Sequence, residues 1–158
     1  MTDSLAELEA KEEILGVLAC YCRAFDRQDR AMLAACWHEG GPAQSLDRSV
    51  QRGQAQSCMI ANALILVDGQ TAVSESYATT WNQAAAVDGL VVERHWRGRY
   101  LDRWSRRNGR WAIDERRTIC DCYSELEVPA DQIPAELSQA SRADGDDPSI
   151  PHLKNFRA

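Results

Sequence analysis

Tyr21-Cys22-Arg23-Ala24-Phe25-Asp26 closes an N-terminal segment of helical period, and the chain changes period soon after it. Upstream, Leu8, Leu15, Leu18, Cys22 and Phe25 recur at helical spacing, with Ile14 and Tyr21 on the flank. Ser4-Leu5-Ala6-Glu7 has the form of a capping box, in which Ser4 caps and Glu7 reaches back to the free amides. The spacing predicts one helix from Leu5 to Phe25, with Leu8, Leu15, Leu18 and Phe25 buried. Downstream, Asp29 can cap a second, shorter helix. Its apolar side is Met32, Leu33, Cys36 and Trp37, and Gly40-Gly41-Pro42 ends it. His38 falls at that helix end, where a cation complements the dipole.

Residues 43–56 are polar and weakly patterned, and read as either a loop or a ragged helix. Strand-like segments follow. Cys58 to Val67 is apolar, and Asp68-Gly69 is a hairpin signal. Thr71 to Asn82 is rich in β-branched and aromatic residues. A looser turn at Val87-Asp88-Gly89 leads into Leu90–Trp104. Arg107-Asn108-Gly109 is a second tight-turn signal, and Trp111–Tyr123 is the last strand. Two helices followed by a four-strand antiparallel meander define an α+β class, with helices packed on a curved sheet.

The chain has 158 residues, which suits one domain, and 44% of them are apolar. A net charge of −6 argues against an electrostatically driven nucleic-acid binder. Arginine is nonetheless dense from Arg94 to Arg117, at Arg97, Arg99, Arg103, Arg106, Arg107, Arg110, Arg116 and Arg117. These read as solvated strand edges and a hairpin turn, or as an anion site. No apolar run approaches the length of a membrane span, and Met1–Glu13 is too acidic for a signal peptide, so a cytoplasmic location is expected. Six cysteines are then expected as free thiols. Cys20 and Cys22 lie about 200° apart on a helix and cannot both face one ion. Cys120 and Cys122 share a strand face but lack partners at ligand spacing, so no metal is expected. No dinucleotide fingerprint, phosphate-binding loop or zinc-protease motif is present, and no cofactor is expected.

From Val128 the composition shifts to Pro129, Pro134, Pro148 and Pro151 with Asp144-Gly145-Asp146-Asp147. We divide the chain into a domain over residues 1–127 and a tail over 128–158. Glu136–Arg142 can make a helical turn, and the rest reads as disordered or as a strap across a neighbouring subunit.

In order and spacing, these pieces resemble the SnoaL-like branch of the NTF2-like superfamily. The carriers are Tyr21–Asp26, Trp37-His38-Glu39, Asn62–Gly69, Ala72–Tyr77, Gly98–Arg103 and Gly109–Ile113. The resemblance spans Leu5 to Tyr123. It implies a cone-shaped α+β barrel, with N-terminal helices on a strongly curved, mainly antiparallel sheet. That branch includes polyketide cyclases, scytalone dehydratase, a hexachlorocyclohexane dehydrochlorinase and bile-acid dehydratases. It implies that Asp26 is the proton-transfer acid. In the family's lyases this Asp pairs with a His four residues before the Asn that is Asn62 here, and Cys58 stands at that place.

Each candidate side chain has two readings. Asp26 lines a pocket, where burial raises its pKa toward neutral, or it only ends the first helix. Tyr21 donates a hydrogen bond to a substrate oxygen, or is a core tyrosine. On a regular helix it lies about 140° from Asp26, so both reach one pocket only where the helix ends or bends. Cys58 is a weak acid–base or nucleophile, or a small buried thiol. His95 is the histidine that could replace the missing one, if it turns inward. Asn62 is expected on the Cys58 face, Tyr77 and Trp81 on one face of the next strand as walls for a flat ligand, and Arg117 as a carboxylate or phosphate clamp.

Two functions are expected from these residues. One is a cofactor-free acid–base lyase of dehydratase type, or an isomerase, acting on a small hydrophobic cyclic or aromatic substrate. The other is a non-catalytic relative, a ligand-binding module or a structural subunit like that of ring-hydroxylating dioxygenases. Leu90–Trp104 carries apolar residues at both parities, so a homo-oligomer, trimer or dimer, is expected to cover the convex face.

Overall fold

The chain was analysed as a computed structural model, which describes residues 4–39, 55–84, 87–133, 147 and 149–155. Helix α1 runs Ser4–Asp26 and α2 runs Arg30–Ala35. Four strands follow: β1 Ala55–Asp68, β2 Thr71–Gln83, β3 Leu90–Arg107 and β4 Arg110–Pro129. They pair antiparallel in the order β1-β2-β3-β4, as a curved sheet that does not close. A short turn of 3₁₀ helix, Ala130–Gln132, and a third helix α3, Ser149–Asn155, end the described chain.

The turns form where the sequence signals them. Gly69, Asn108 and Gly109 all take the left-handed backbone that tight hairpins require, with φ of 56°, 53° and 77°. Asp29 caps α2 as expected, its Oδ1 accepting from the Met32 amide at 2.9 Å.

The sheet's two faces differ in side-chain size. Ala72, Ser74, Ser76 and Ala78 of β2 point to the concave side, as do Tyr100, Asp102 and Trp104 of β3. On β2 these residues are small: Ala72 joins the core and Ser74 meets the indole of Trp104. The core gathers Ile14, Leu18, Cys36, Trp37, Ile65, Trp104, Trp111 and Ile113. Each large apolar side chain buried there contributes about 1.5–3 kcal/mol. The Trp104 indole N–H donates to Ser74 Oγ at 2.9 Å, so its one polar atom is satisfied.

The buried stripe of α1 differs from the one read in the sequence. Leu18 and Phe25 are buried, but Leu8 and Leu15 are 60% and 41% exposed. The stripe runs instead through Ala10, Ile14, Leu18, Ala24 and Phe25, with Val17 and Tyr21 packed beside it. Ile14, placed on the flank by the sequence pattern, is the fully buried centre. Leucine spacing alone mislocated the stripe because Ala10 and Ala24, small enough for close approach to other elements, belong to it.

His38 also differs. It lies beyond α2 and is buried, with Nε2 2.9 Å from the Ser105 carbonyl and its amide donating to the Ile113 carbonyl. It ties the exit of α2 to β3 and β4 and has no part in a helix dipole. The described part of the tail folds back on its own chain. Buried Asp147 sits 2.5 Å from Arg27 Nε, and Arg23 donates to Ser149 Oγ at 2.9 Å, so the start of α3 is fastened to the end of α1. Glu136–Arg142 and nearly all of 43–56 lie outside the described residues.

Candidate functional site

The end of α1 meets the start of β1 at Asp26. Its Oδ1 accepts from the Cys58 amide at 2.6 Å, and the buried Gln56 side chain donates to the Phe25 carbonyl. Two bonds therefore hold the helix terminus on the strand. Burial raises the Asp26 carboxyl above the ordinary carboxylate value, while the Cys58 amide and Arg27 oppose that rise.

One helical turn back from Asp26, Cys22 Sγ lies 3.6 Å from Cys58 Sγ. Tyr21 packs edge-on against Tyr100 with ring centroids 5.9 Å apart, and Trp96 stacks on Tyr100 at 5.5 Å. The Arg116 guanidinium lies between the phenols, 4.3 Å from the Tyr21 ring centre and 4.0 Å from that of Tyr100. It is held by a two-pronged ion pair to Asp102, at 2.7 and 2.8 Å. Arg116 Nη1 is buried and has no hydrogen-bond partner. Burial also pushes the Tyr21 and Tyr100 phenols above their ordinary value, while Arg116 pulls against it.

Cys58 joins the two parts. Its amide holds Asp26, and its thiol is within electrostatic reach of Tyr21, Tyr100 and Arg116. Asp26, Tyr21 and Cys58 are therefore neighbours on the concave side. There the Asp26 carboxyl is raised above its ordinary value by burial. Cys58 links it to the two phenols and to a guanidinium with a spare N–H.

The other sequence candidates lie elsewhere. Asn62 is exposed, with φ of 49°, in the bulge between Ala61 and Leu64. The extra residue turns it off the Cys58 face and hands the inward positions to Ala63 and Ile65. Tyr77 is 52% exposed, and Trp81 shares its parity, on the side opposite Ser76 and Ala78. Parity puts both aromatics on the convex face. His95 pairs with Trp81 there, its ring 3.5 Å from Glu93, so it does not take the missing histidine's place beside Asp26. Arg117 faces an outer groove of about 450 Å³, lined by Leu64, Leu66, Val73, Leu101 and Glu115.

Arg116, Asp102 and Tyr100 were not singled out as site residues from sequence. One signal was available. Asp102 has the parity of Tyr100 and Trp104, so an acid on that apolar face required a cation opposite.

Helices on a curved, unclosed antiparallel meander define the NTF2-like fold class. The family model of the SnoaL-like domain matches residues 40–117. No curated protein matches the chain. Among solved structures, it is similar to a scytalone dehydratase-like protein from Novosphingobium aromaticivorans: 16% identity over 81% of this chain and 95% of that one, TM-score 0.69. A hexachlorocyclohexane dehydrochlorinase (LinA) type 2 matches at 16% identity, 78% and 93% coverage and TM-score 0.66. The β subunit of an aromatic-ring-hydroxylating dioxygenase-like protein from Novosphingobium aromaticivorans matches at 17% identity, 80% and 96% coverage and TM-score 0.58. At these identities the likeness is one of fold. Among the described residues, no helix is long and apolar enough to cross a membrane.

Proposed function

We propose that this chain is a cofactor-free acid–base lyase of dehydratase type, or an isomerase, for a hydrophobic cyclic or aromatic compound. The carrying observation is the Asp26 carboxyl, raised by burial and bonded to the amide of Cys58, whose thiol is within electrostatic reach of the Tyr21–Arg116–Tyr100 cluster. The Asp26 carboxylate takes a proton from a carbon next to a carbonyl. The electron pair moves onto the carbonyl oxygen, which Tyr21 and the free Arg116 N–H stabilise. Collapse expels a leaving group from the next carbon, giving a lyase. Return of the proton to a different carbon gives an isomerase. The solved dehydratase-like and dehydrochlorinase structures support this reading by fold.

A base works only when ionised, so turnover should rise with pH through the Asp26 pKa. Burial places that pKa above the ordinary aspartate value, so the acid limb of kcat/KM should lie above it too. An acid limb at or below the ordinary value would remove Asp26 from this role.

A second reading is a structural subunit. It is favoured by Cys58 at the family's histidine place and by the likeness to a dioxygenase β subunit.

On either reading we propose a homo-oligomer. Met59, Leu64, Leu66, Val73 and Tyr77 are exposed large side chains at or near the convex face. Water contact with such a patch is unfavourable, and the described helices pack on the other face. Sedimentation at micromolar concentration should give a species heavier than the 17.7 kDa chain; a single species at chain mass contradicts it.

A further inference from the structure

The two thiols at the junction of α1 and β1 have a use that acid–base chemistry leaves untouched. We propose that Cys22 and Cys58 are an oxidation site, forming a disulfide when a hydroperoxide reaches the concave side. The sulfurs are already 3.6 Å apart, on elements held together by the Asp26 and Gln56 bonds. Closing to the ~2.05 Å of a disulfide takes about 1.5 Å of movement.

The pair is unequal in the way the chemistry needs. Cys22 is partly exposed and Cys58 is buried. The hydrogen bond between the two sulfurs holds the Cys22 thiol below its ordinary value, against burial, while that same bond and burial raise Cys58. Cys22 is therefore the attacking thiolate and Cys58 the resolving thiol. Cys36 is a poor competitor. Its Sγ is 3.4 Å from the Met32 carbonyl, and burial raises the thiol to about 12.

In the first step the Cys22 sulfur attacks the peroxide. A sulfur–oxygen bond forms, the O–O bond breaks, and hydroxide leaves to become water. In the second step Cys58 attacks the sulfenic sulfur. The sulfur–sulfur bond forms, and the sulfenic oxygen leaves as water with the Cys58 proton. Two thiols lose two electrons, and one hydrogen peroxide becomes two waters. The bridge straps α1 to β1 across a separation of 36 residues and fixes Cys58, whose amide holds Asp26. Any effect on turnover rests on the function proposed above; bridge formation does not.

The test treats reduced, folded, full-length protein with stoichiometric hydrogen peroxide. Remaining thiols are then blocked with N-ethylmaleimide in denaturant, and peptides are mapped without reduction. The expected product joins the Cys22 peptide to the Cys58 peptide, disappears with dithiothreitol, and accompanies a rise in melting temperature. Cys58→Ser should give no bridge and a Cys22 sulfenic acid that dimedone traps. The proposal is overturned if both cysteines of the wild type are fully blocked, or if Cys22 passes to sulfinic acid unbridged. It is overturned equally if Cys22 bridges another cysteine instead. Bridging with no effect of Asp26 substitution on turnover would sink the lyase reading alone. A mapped protein with no bridge but Asp26-dependent turnover would sink this inference alone.

Discussion

Arg116→Met should lower unfolding free energy by about 3–5 kcal/mol, measured by urea denaturation. The substitution leaves Asp102, which is 2% exposed, as a buried charge without its partner. It also empties the space between the Tyr21 and Tyr100 rings, where the guanidinium stacks on both faces. The double variant Arg116→Met/Asp102→Leu should recover most of that loss, because two apolar side chains carry no desolvation cost. A single variant within about 1 kcal/mol of wild type would show that the pair is solvated, as exposed pairs are. A double variant no better than the single would show that packing, and not the stranded carboxylate, sets the cost. Turnover should fall in both, since both lack the unpartnered N–H.

Asp26→Asn should reduce kcat by about 10²–10⁴-fold, the range for loss of a positioned acid–base group. The same substitution should leave stability at neutral pH unchanged or raised. In the folded protein the Asp26 carboxyl is raised, chiefly by burial. Such a group favours the fold while protonated, below its unfolded pKa. That advantage is lost as pH rises through the folded value. At neutral pH the wild type therefore holds an ionised carboxylate at a cost that Asn does not incur. The Asn carbonyl can still accept from the Cys58 amide, so the helix end keeps its anchor. Thermal melts of the two proteins should converge at acid pH, where both side chains are neutral. A large drop in melting temperature with Asn would mark Asp26 as a structural cap instead.

The meander was legible because its turns are chemical signals. Asp68-Gly69 and Asn108-Gly109 require left-handed backbone, and the strands around them pair in the register those turns set. Asp26 and Cys58, singled out by their places in that order, meet at the junction of α1 and β1. What the sequence hid came from bulges and from parity. The Asn108-Gly109 hairpin pairs Arg107 with Arg110 and Trp104 with Ile113, a register that continued unbroken would set Glu115 opposite Asp102. A shift between Arg103 and Trp104 sets Arg116 there instead and creates the buried pair. A second bulge, at Ala61–Leu64, removed Asn62 from the face it shares by parity with Cys58. Tyr77 and Trp81 were misplaced for a different reason. Aromatic size suggested a wall, yet the concave side of β2 is built of alanine and serine, and both aromatics have the opposite parity.

The central claim is proton transfer by Asp26 at a carbon acid in the concave site. The most direct measurement is proton NMR in D₂O on a panel of cyclic compounds bearing a carbonyl, with and without a leaving group on the next carbon. Deuterium enters the abstracted position whether the reaction ends as elimination, as isomerisation, or simply reverses. The account predicts that the wild type exchanges or converts at least one member of the panel, and that Asp26→Asn does so about 10²–10⁴-fold more slowly. Exchange by Asp26→Asn at the wild-type rate, or no exchange by the wild type with any compound, would contradict it.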